Sequence, residues 1–328
     1  MPSPPTLAFG LPWDRRLAAL FLTIVLALPG RAALAQPTDR QPPNPPAWRA
    51  AALPEGTRAL RDIPYVSNGH PRQKLDLFLP PGATNPLPLL IWVHGGAWLG
   101  GSKEQCPALP WLRRGYAVAS LNYRLSQHAR FPAQLEDCKA AVRWLRTHAA
   151  EHQLDPDRFA AWGASAGGHL VALLGTTGDV KAFDVGEHLG VSSRVQAVVD
   201  FFGPVDFTRM QQQSLPNSPI DHDAPDAPEA KLIGGPVQEN KDKAAAANPV
   251  TYVTHDDPPF LILHGDRDNL VPWQQSELLR DALQRANVPV TFRVIEGAGH
   301  GFGGPQIDRL VAEFLARHLQ PARPPGKP

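Results

Sequence analysis

Cysteine is nearly missing: the chain has 2 in 328 residues. So sparse a supply excludes a disulfide-stapled scaffold, and no Cys and His spacing suited to a zinc site occurs. Excess charge of one sign is missing too. The 32 Lys and Arg against 31 Asp and Glu leave a formal net charge of +1. That balance gives no electrostatic footprint for nucleic acid or an anionic membrane surface. Internal repeats are absent. The apolar run Leu17 to Leu28 stops well short of the roughly 20 residues that span a bilayer, so no stable membrane anchor is expected. What remains is a globular composition, 43% hydrophobic and 19% charged, long enough for one large α/β domain with a full core.

The short apolar run has another reading. Arg15 and Arg16 precede it, and Ala33-Leu34-Ala35 follows as an A-x-A cleavage site. Residues 1–35 therefore read as a cleaved signal peptide, which predicts a secreted or periplasmic protein. Residues 36–56, with Pro42-Pro43-Asn44-Pro45-Pro46, have the composition of an extended linker, and 321–328 that of a flexible tail. The domain is expected over 57–320. In an oxidising compartment Cys106 and Cys138 permit one disulfide; two buried free thiols are the alternative, and the sequence leaves both open.

Within 57–320, apolar strands alternate with helical patterns. Arg61 to Val66 and Lys74 to Leu79 read as an N-terminal antiparallel hairpin, the second strand half-buried with period two. Leu87 to Val93 and Tyr116 to Tyr123 are apolar on both faces, as central parallel strands are. Phe159 to Trp162, Val195 to Val199, Pro259 to Leu263 and Val290 to Ile295 supply four more. Helices are expected around Pro110 to Arg114, and over Ala133 to Glu151, Pro272 to Ala286 and Gln306 to His318. The whole is a doubly wound, mostly parallel α/β sheet. Residues 203–257 interrupt it. They are polar and without a strong period, and are expected to form a lid or rim over a site.

Chemistry gathers where the strands end. Trp162-Gly163-Ala164-Ser165-Ala166-Gly167-Gly168 is a G-x-S-x-G turn between a strand and a helix, a place where a serine hydroxyl is held exposed. Glycines flank it because a Cβ there would meet neighbouring backbone. His94-Gly95-Gly96-Ala97-Trp98 ends a central strand with small residues. Its backbone N–H groups, together with that of Ala166, are placed to hold an oxyanion. His264-Gly265-Asp266-Arg267-Asp268 and Gly297-Ala298-Gly299-His300 follow two later strands. Serine is a poor nucleophile at its own pKa and needs a base, for which His300 on its glycine-flanked loop is the candidate. A carboxylate must then fix the imidazole tautomer. Asp268 is preferred because it lies farther along its loop. Asp266 reads as a turn-capping residue, and Asp200 ends a different strand. His264 and His169 read as packing or hydrogen-bonding residues. Trp98, Tyr123, Phe131 and Phe302 are candidate pocket walls, and Arg124 and Asp137 a bracing pair.

These four motifs, in this order, resemble the α/β-hydrolase superfamily from about Arg61 to His318, specifically its hormone-sensitive-lipase-like and feruloyl-esterase-like carboxylesterases. The resemblance implies oxyanion N–H groups at Gly96 and Ala97, the latter where many relatives carry a third glycine. It also implies Asp268 as triad acid. It leads one to expect a serine esterase acting on short-acyl or aryl esters through an acyl-enzyme. Neither metal nor organic cofactor would be needed, and the partner would be a small-molecule or carbohydrate ester. An amide or peptide hydrolase on the same scaffold is the nearby alternative. A non-catalytic ligand-binding hydrolase fold is the distant one.

Overall fold

The computed structural model describes residues 53–319. The expected signal peptide at 1–35 and tail at 321–328 lie outside the described residues, as does the linker except for its last four positions. Eight strands form one sheet: β1 (Arg58–Pro64), β2 (Lys74–Leu79), β3 (Leu87–Val93), β4 (Ala117–Leu121), β5 (Leu154–Ala164), β6 (Ala197–Phe201), β7 (Phe260–Gly265) and β8 (Val290–Ile295). Their spatial order is β1-β2-β4-β3-β5-β6-β7-β8. β2 runs antiparallel to both β1 and β4, and all later pairings are parallel.

The described residues form seven α-helices: α1 (Ala133–Thr147), α2 (Ala166–Thr176), α3 (Phe207–Gln213), α4 (Pro228–Ile233), α5 (Lys241–Ala246) and α6 (Gln274–Arg285) between strands, and α7 (Pro305–His318) after the last. The expected helix at Pro110 to Arg114 is a 3-10 segment, Leu109–Arg114. It is closed by Gly115 at φ 82°, the left-handed conformation that only glycine adopts freely.

The sheet divides the interior into two apolar layers, and β3 feeds both. Leu89, Ile91 and Val93 enter the core beneath α1 and α2, whereas Leu90 and Trp92 enter the one beneath α7. Alternation in a parallel strand covered on both faces has this outcome. The half-buried reading of β2 needs correction on the same ground. Leu75, Leu77 and Leu79 face one core and Phe78 the other, and Asp76 between them is fully buried. Its carboxylate is paired with Lys103 at 2.8 Å and Arg61 at 3.1 Å. A polar residue in the pattern marked a buried ion pair rather than a wet face.

The stretch from Gly203 to Asp257 is also more structured than its composition suggests. Val205, Phe207 and Met210 in and near α3, and Leu232 and Ile233 in α4, belong to the main core. Its helices have six or seven residues, less than two turns, which is too short to print a helical period.

Strand order reverses between β3 and β5, so their carboxyl ends flank a crevice. In open parallel sheets that switch point is where ligands bind. His94 follows β3 there, and Ser165 follows β5.

Candidate functional site

Ser165 joins β5 to α2 with φ 58° and ψ −125°, a backbone conformation costly for a residue with a Cβ. The turn is held from both sides. The Ser165 N–H donates to Phe201 O at 2.9 Å, and Ser165 O accepts from the His169 N–H at 3.0 Å. Its glycines have a steric reason. A Cβ on Gly163 would sit 2.2 Å from Gly167 O, and one on Gly167 2.1 Å from Val93 O. Nothing larger lets β5, α2 and the end of β3 converge so closely.

The loop after β3 lies against this elbow. A Cβ on Gly95 would meet Ala164 O at 2.7 Å and the Ser165 Cβ at 3.2 Å. Gly96, Ala97 and Trp98 follow with φ of 107°, 54° and 57°. The N–H groups of Gly96 and Ala97 donate to no acceptor among the described residues. Ala166, at the first position of α2, has the unengaged N–H common to helix starts.

His94 anchors the loop. Its Nδ1–H donates to Gly95 O at 2.7 Å, while Nε2 accepts from Arg72 Nη2 at 3.0 Å. An arginine can only donate, so the imidazole is neutral with its proton on Nδ1. Burial, with the nearby Arg72 charge, depresses its pKa to about 4 against the pull of the Gly95 carbonyl. The Arg72 guanidinium also donates to Tyr123 O at 2.8 Å and Gly101 O at 3.0 Å. The Tyr123 hydroxyl donates to His94 O at 2.9 Å.

On the other side of the elbow, the loops after β7 and β8 meet. His300 Nδ1 lies 2.7 Å from Asp268 Oδ2. Asp268 Oδ1 accepts from the N–H groups of Leu270 and Val271, both at 2.9 Å. His264 Nε2 approaches Oδ2 at 3.3 Å while also bonding Val271 O at 2.9 Å. Burial pushes the Asp268 carboxyl up, but the His264 and His300 hydrogen bonds outweigh it and hold the acid well below the usual carboxylate range. Asp268 is thus ionised and His300 Nδ1 is a donor, which leaves His300 Nε2 free to face the cavity. The Phe202 ring, 4.6 Å from the His300 ring, backs the imidazole.

Ser165, His300, Gly96, Ala97 and Ala166 all line one cavity of about 1250 Å³. One part of its wall is aromatic, with Trp92, Trp111, Trp162, Phe201 and Phe302; another comes from the segment between β6 and β7, with Ile220, His222, Pro228 and Glu229. Among the described residues no group of three or more His, Cys, Asp or Glu could hold a metal ion, and no helix is long and apolar enough to cross a membrane.

Residues 75–283 match the BD-FAE family. The chain belongs to that family. LipM of Mycobacterium tuberculosis, a carboxylic ester hydrolase by name, is 33% identical over 80% of this chain and 64% of its own length. A truncated carbohydrate esterase from gut microbiota superimposes with a TM-score of 0.74 at 34% identity, covering 82% of this chain and 99% of that one. An acetyl ester-xyloside bifunctional hydrolase from Caldicellulosiruptor lactoaceticus does so with 0.62 at 25% identity, covering 81% and 94%. The chain spans 64% and 61% of LipM and of the esterase LipQ from the same bacterium.

Against this BD-FAE frame, several sequence expectations need adjustment. Trp98 and Phe302 do line the cavity, but Trp98 is only 1% exposed and packs edge-on against His169 and Phe207. Tyr123 is fully buried and braces His94 instead, and Phe131 packs against Phe183; neither touches the cavity. Arg124 and Asp137 pair as expected, Nη2 to Oδ1 at 2.8 Å. Asp266 links loops, its Oδ1 accepting from the Gly297 N–H at 2.6 Å. Cys106 and Cys138 are free buried thiols in opposite cores, separated by the sheet. The disulfide alternative is therefore overturned.

Four participants went unread in the sequence: Arg72, Phe202, His222 and Glu229. No local motif marks them: Arg72 and Phe202 meet histidines distant in the chain, and His222 and Glu229 reach the cavity only through the fold. The pairing of β4 with both β2 and β3 brings Arg72 to His94.

Proposed function

We propose that this protein is an exported serine carboxylesterase that cleaves short-acyl or aryl esters, of acetyl or feruloyl type, through an acyl-enzyme. The observation that carries the reading is convergence on one cavity. Ser165 on its elbow, the Asp268-held His300 and the Gly96–Ala97 loop all border the same space. The names of the mycobacterial, gut and Caldicellulosiruptor relatives favour ester hydrolysis over the amide alternative, and two of them favour a carbohydrate ester.

In this mechanism Ser165 Oγ attacks the ester carbonyl as His300 Nε2 takes its proton. The charge developing on the carbonyl oxygen is held by the N–H groups of Gly96, Ala97 and Ala166. One such donor contributes roughly 10²–10³ in rate. His300 then passes its proton to the departing alcohol, leaving Ser165 acylated. It next takes a proton from water, whose oxygen attacks the acyl carbon. The acid departs, and the proton returns to Ser165. Asp268 keeps the proton on Nδ1 throughout and stabilises the imidazolium without becoming protonated. The aromatic wall suits a short apolar or aryl acyl group.

The test is p-nitrophenyl ester hydrolysis across acyl lengths by wild type and folded Ser165→Ala. The variant should lose about 10⁴–10⁶ in kcat. A folded variant that keeps its rate sinks the reading. Export is tested separately by the N-terminus of protein recovered outside the cytoplasm, expected at Gln36.

A further inference from the structure

The three N–H groups that would hold the oxyanion are aimed in different ways. That of Ala166 is fixed by α2, whose first turn it opens. For the other two the peptide plane decides, because in a trans peptide the N–H points opposite to the carbonyl before it. Whatever binds Gly95 O therefore sets the direction of the Gly96 N–H, and whatever binds Gly96 O sets that of Ala97. Gly96 O accepts from the N–H groups of Leu99 and Gly100, at 2.9 and 3.0 Å, a closure made by backbone alone. Among the described residues Gly95 O accepts only from His94 Nδ1, at 2.7 Å. Of the two loop donors, Gly96 is the one whose aim depends on a side chain.

That side chain has an ambiguity a backbone amide lacks. A neutral imidazole carries one proton, on either nitrogen. With the proton on Nε2, Nδ1 would turn a lone pair on Gly95 O, and the carbonyl would lose its donor. Little room is left for water to replace it. A Cβ on Gly101 would lie 2.4 Å from Gly95 O and 2.5 Å from His94 Nδ1, so the Gly101 backbone is packed against that bond. Arg72, just before β2, removes the ambiguity. Its Nη2 donates to His94 Nε2 and to Gly101 O, each at 3.0 Å, while Nε donates to Tyr123 O at 2.8 Å. A guanidinium has no lone pair to offer, so a proton on Nε2 would face a second donor. The Gly101 and Tyr123 contacts fix the planar fork, which keeps that donor on Nε2. The Tyr123 ring, stacked 4.4 Å from the imidazole, covers one of its faces.

We propose that Arg72 is a positioning residue for the oxyanion hole: by holding His94 in its Nδ1–H tautomer, it turns the Gly95–Gly96 peptide so that the Gly96 N–H meets the developing charge. This rests on the esterase reading above. Arg72 does not border the cavity, so it touches no reacting atom. A donor aimed at charge that appears only in the transition state affects kcat and leaves ground-state binding alone.

The experiment measures kcat and KM on p-nitrophenyl acetate for wild type, Arg72→Met, His94→Asn and the double variant. One oxyanion donor is worth roughly 10²–10³, and here it is misaligned rather than deleted, so Arg72→Met should lose about 10–100-fold in kcat with KM within about threefold. Asparagine offers an amide N–H near the place of Nδ1 and has no tautomer to select. In the His94→Asn background Arg72→Met should therefore cost about threefold or less, a non-additivity that general loosening of the fold would not produce. Inhibition by trifluoroacetophenone, to which a serine adds to form a tetrahedral oxyanion, should weaken in Arg72→Met in step with kcat. Arg72→Gln, polar but too short for all three acceptors, runs the same cycle should Arg72→Met not fold. The inference is overturned if the folded Arg72 variant keeps its kcat, if its loss lies in KM, if the loss is as large in the His94→Asn background, or if inhibition is unchanged. Wild type separates two failures. A protein active on p-nitrophenyl acetate but indifferent to Arg72 loses only this inference, whereas one inert on it loses the esterase reading as well.

Discussion

Asp200 and Asp268 occupy nearly equivalent places and behave oppositely. Each follows or ends one of two adjacent parallel strands, β6 and β7, and each is at most 1% exposed. Asp200 receives a single hydrogen bond, from the Gly203 N–H at 3.0 Å, and its Oδ2 has no partner among the described residues. Burial therefore dominates, and its pKa is pushed up to about 7. Asp268 is buried too, but two backbone N–H groups and two imidazoles surround it, and its pKa is driven down. Position on the sheet and burial do not decide which carboxylate stays charged. Donor count does. In the proposed mechanism, only the permanently ionised one can hold a histidine that becomes positive.

The sharpest way to break this comparison is to neutralise each acid in turn. Asp268→Asn should lower kcat on p-nitrophenyl acetate by about 10⁴, because an amide can no longer favour the productive tautomer. Asp200→Asn should leave kcat within a few-fold. A folded Asp200→Asn as damaged as Asp268→Asn would show that donor count does not separate the two roles.

Stability against pH gives the next largest effect, with opposite signs for the two residues. The folded pKa of Asp200 lies above its unfolded value, so the native form binds the extra proton. Stability from this group is full below about pH 4 and declines as pH rises towards 7. At one kcal-scale increment of about 1.4 kcal/mol per unit, up to roughly 4 kcal/mol is at stake. Asp200→Asn should remove that decline and melt higher than wild type at pH 8. Asp268 has a depressed folded pKa, so its contribution is present above about pH 4 and is lost as pH falls below it. Thermal melts from pH 3 to 8 on both variants test this, and a decline that persists in Asp200→Asn would refute it.

A smaller effect is expected from His264→Gln, which takes one donor from Asp268 and breaks the Val271 O and Ser276 Oγ contacts. A hydrogen bond to a charged group contributes about 1.5–3 kcal/mol, and denaturant unfolding should register a loss of that size. Its kcat should fall far less than in Asp268→Asn, since the Leu270 and Val271 N–H groups remain. The smallest effect is a null one. Reductant should not shift the melting temperature, because the thiols of Cys106 and Cys138 lie in different cores.

Much of this was legible in the residues themselves. The strands β3, β4, β6 and β7 stand out because covered parallel strands are continuous apolar runs, and the elbow because Gly163 and Gly167 admit no Cβ. The Ser165, Asp268 and His300 loops announce themselves by their place after strands. Less legible were features that depend on what the chain folds against. Lys74 to Leu79 read as half-buried because Asp76 gave no sign of the Lys103 that reaches it from another loop. Asp268 and Asp200 could be ranked by spacing but not by charge state, which needs the donor geometry. Arg72, His222 and Glu229 carry no local signature, since their partners, or the cavity they line, are assembled only in the fold.

Arg72 has a practical consequence for anyone cutting the protein down. The family match starts at residue 75 and stops at 283. A fragment trimmed to that span would keep the proposed nucleophile and acid, yet lose the proposed base, His300. It would also lose the guanidinium that clamps His94, Gly101 and Tyr123 together. The smallest working unit must therefore begin upstream of β2 and run past the loop that follows β8. The antiparallel border of the sheet is a working part of the enzyme rather than ornament at its margin.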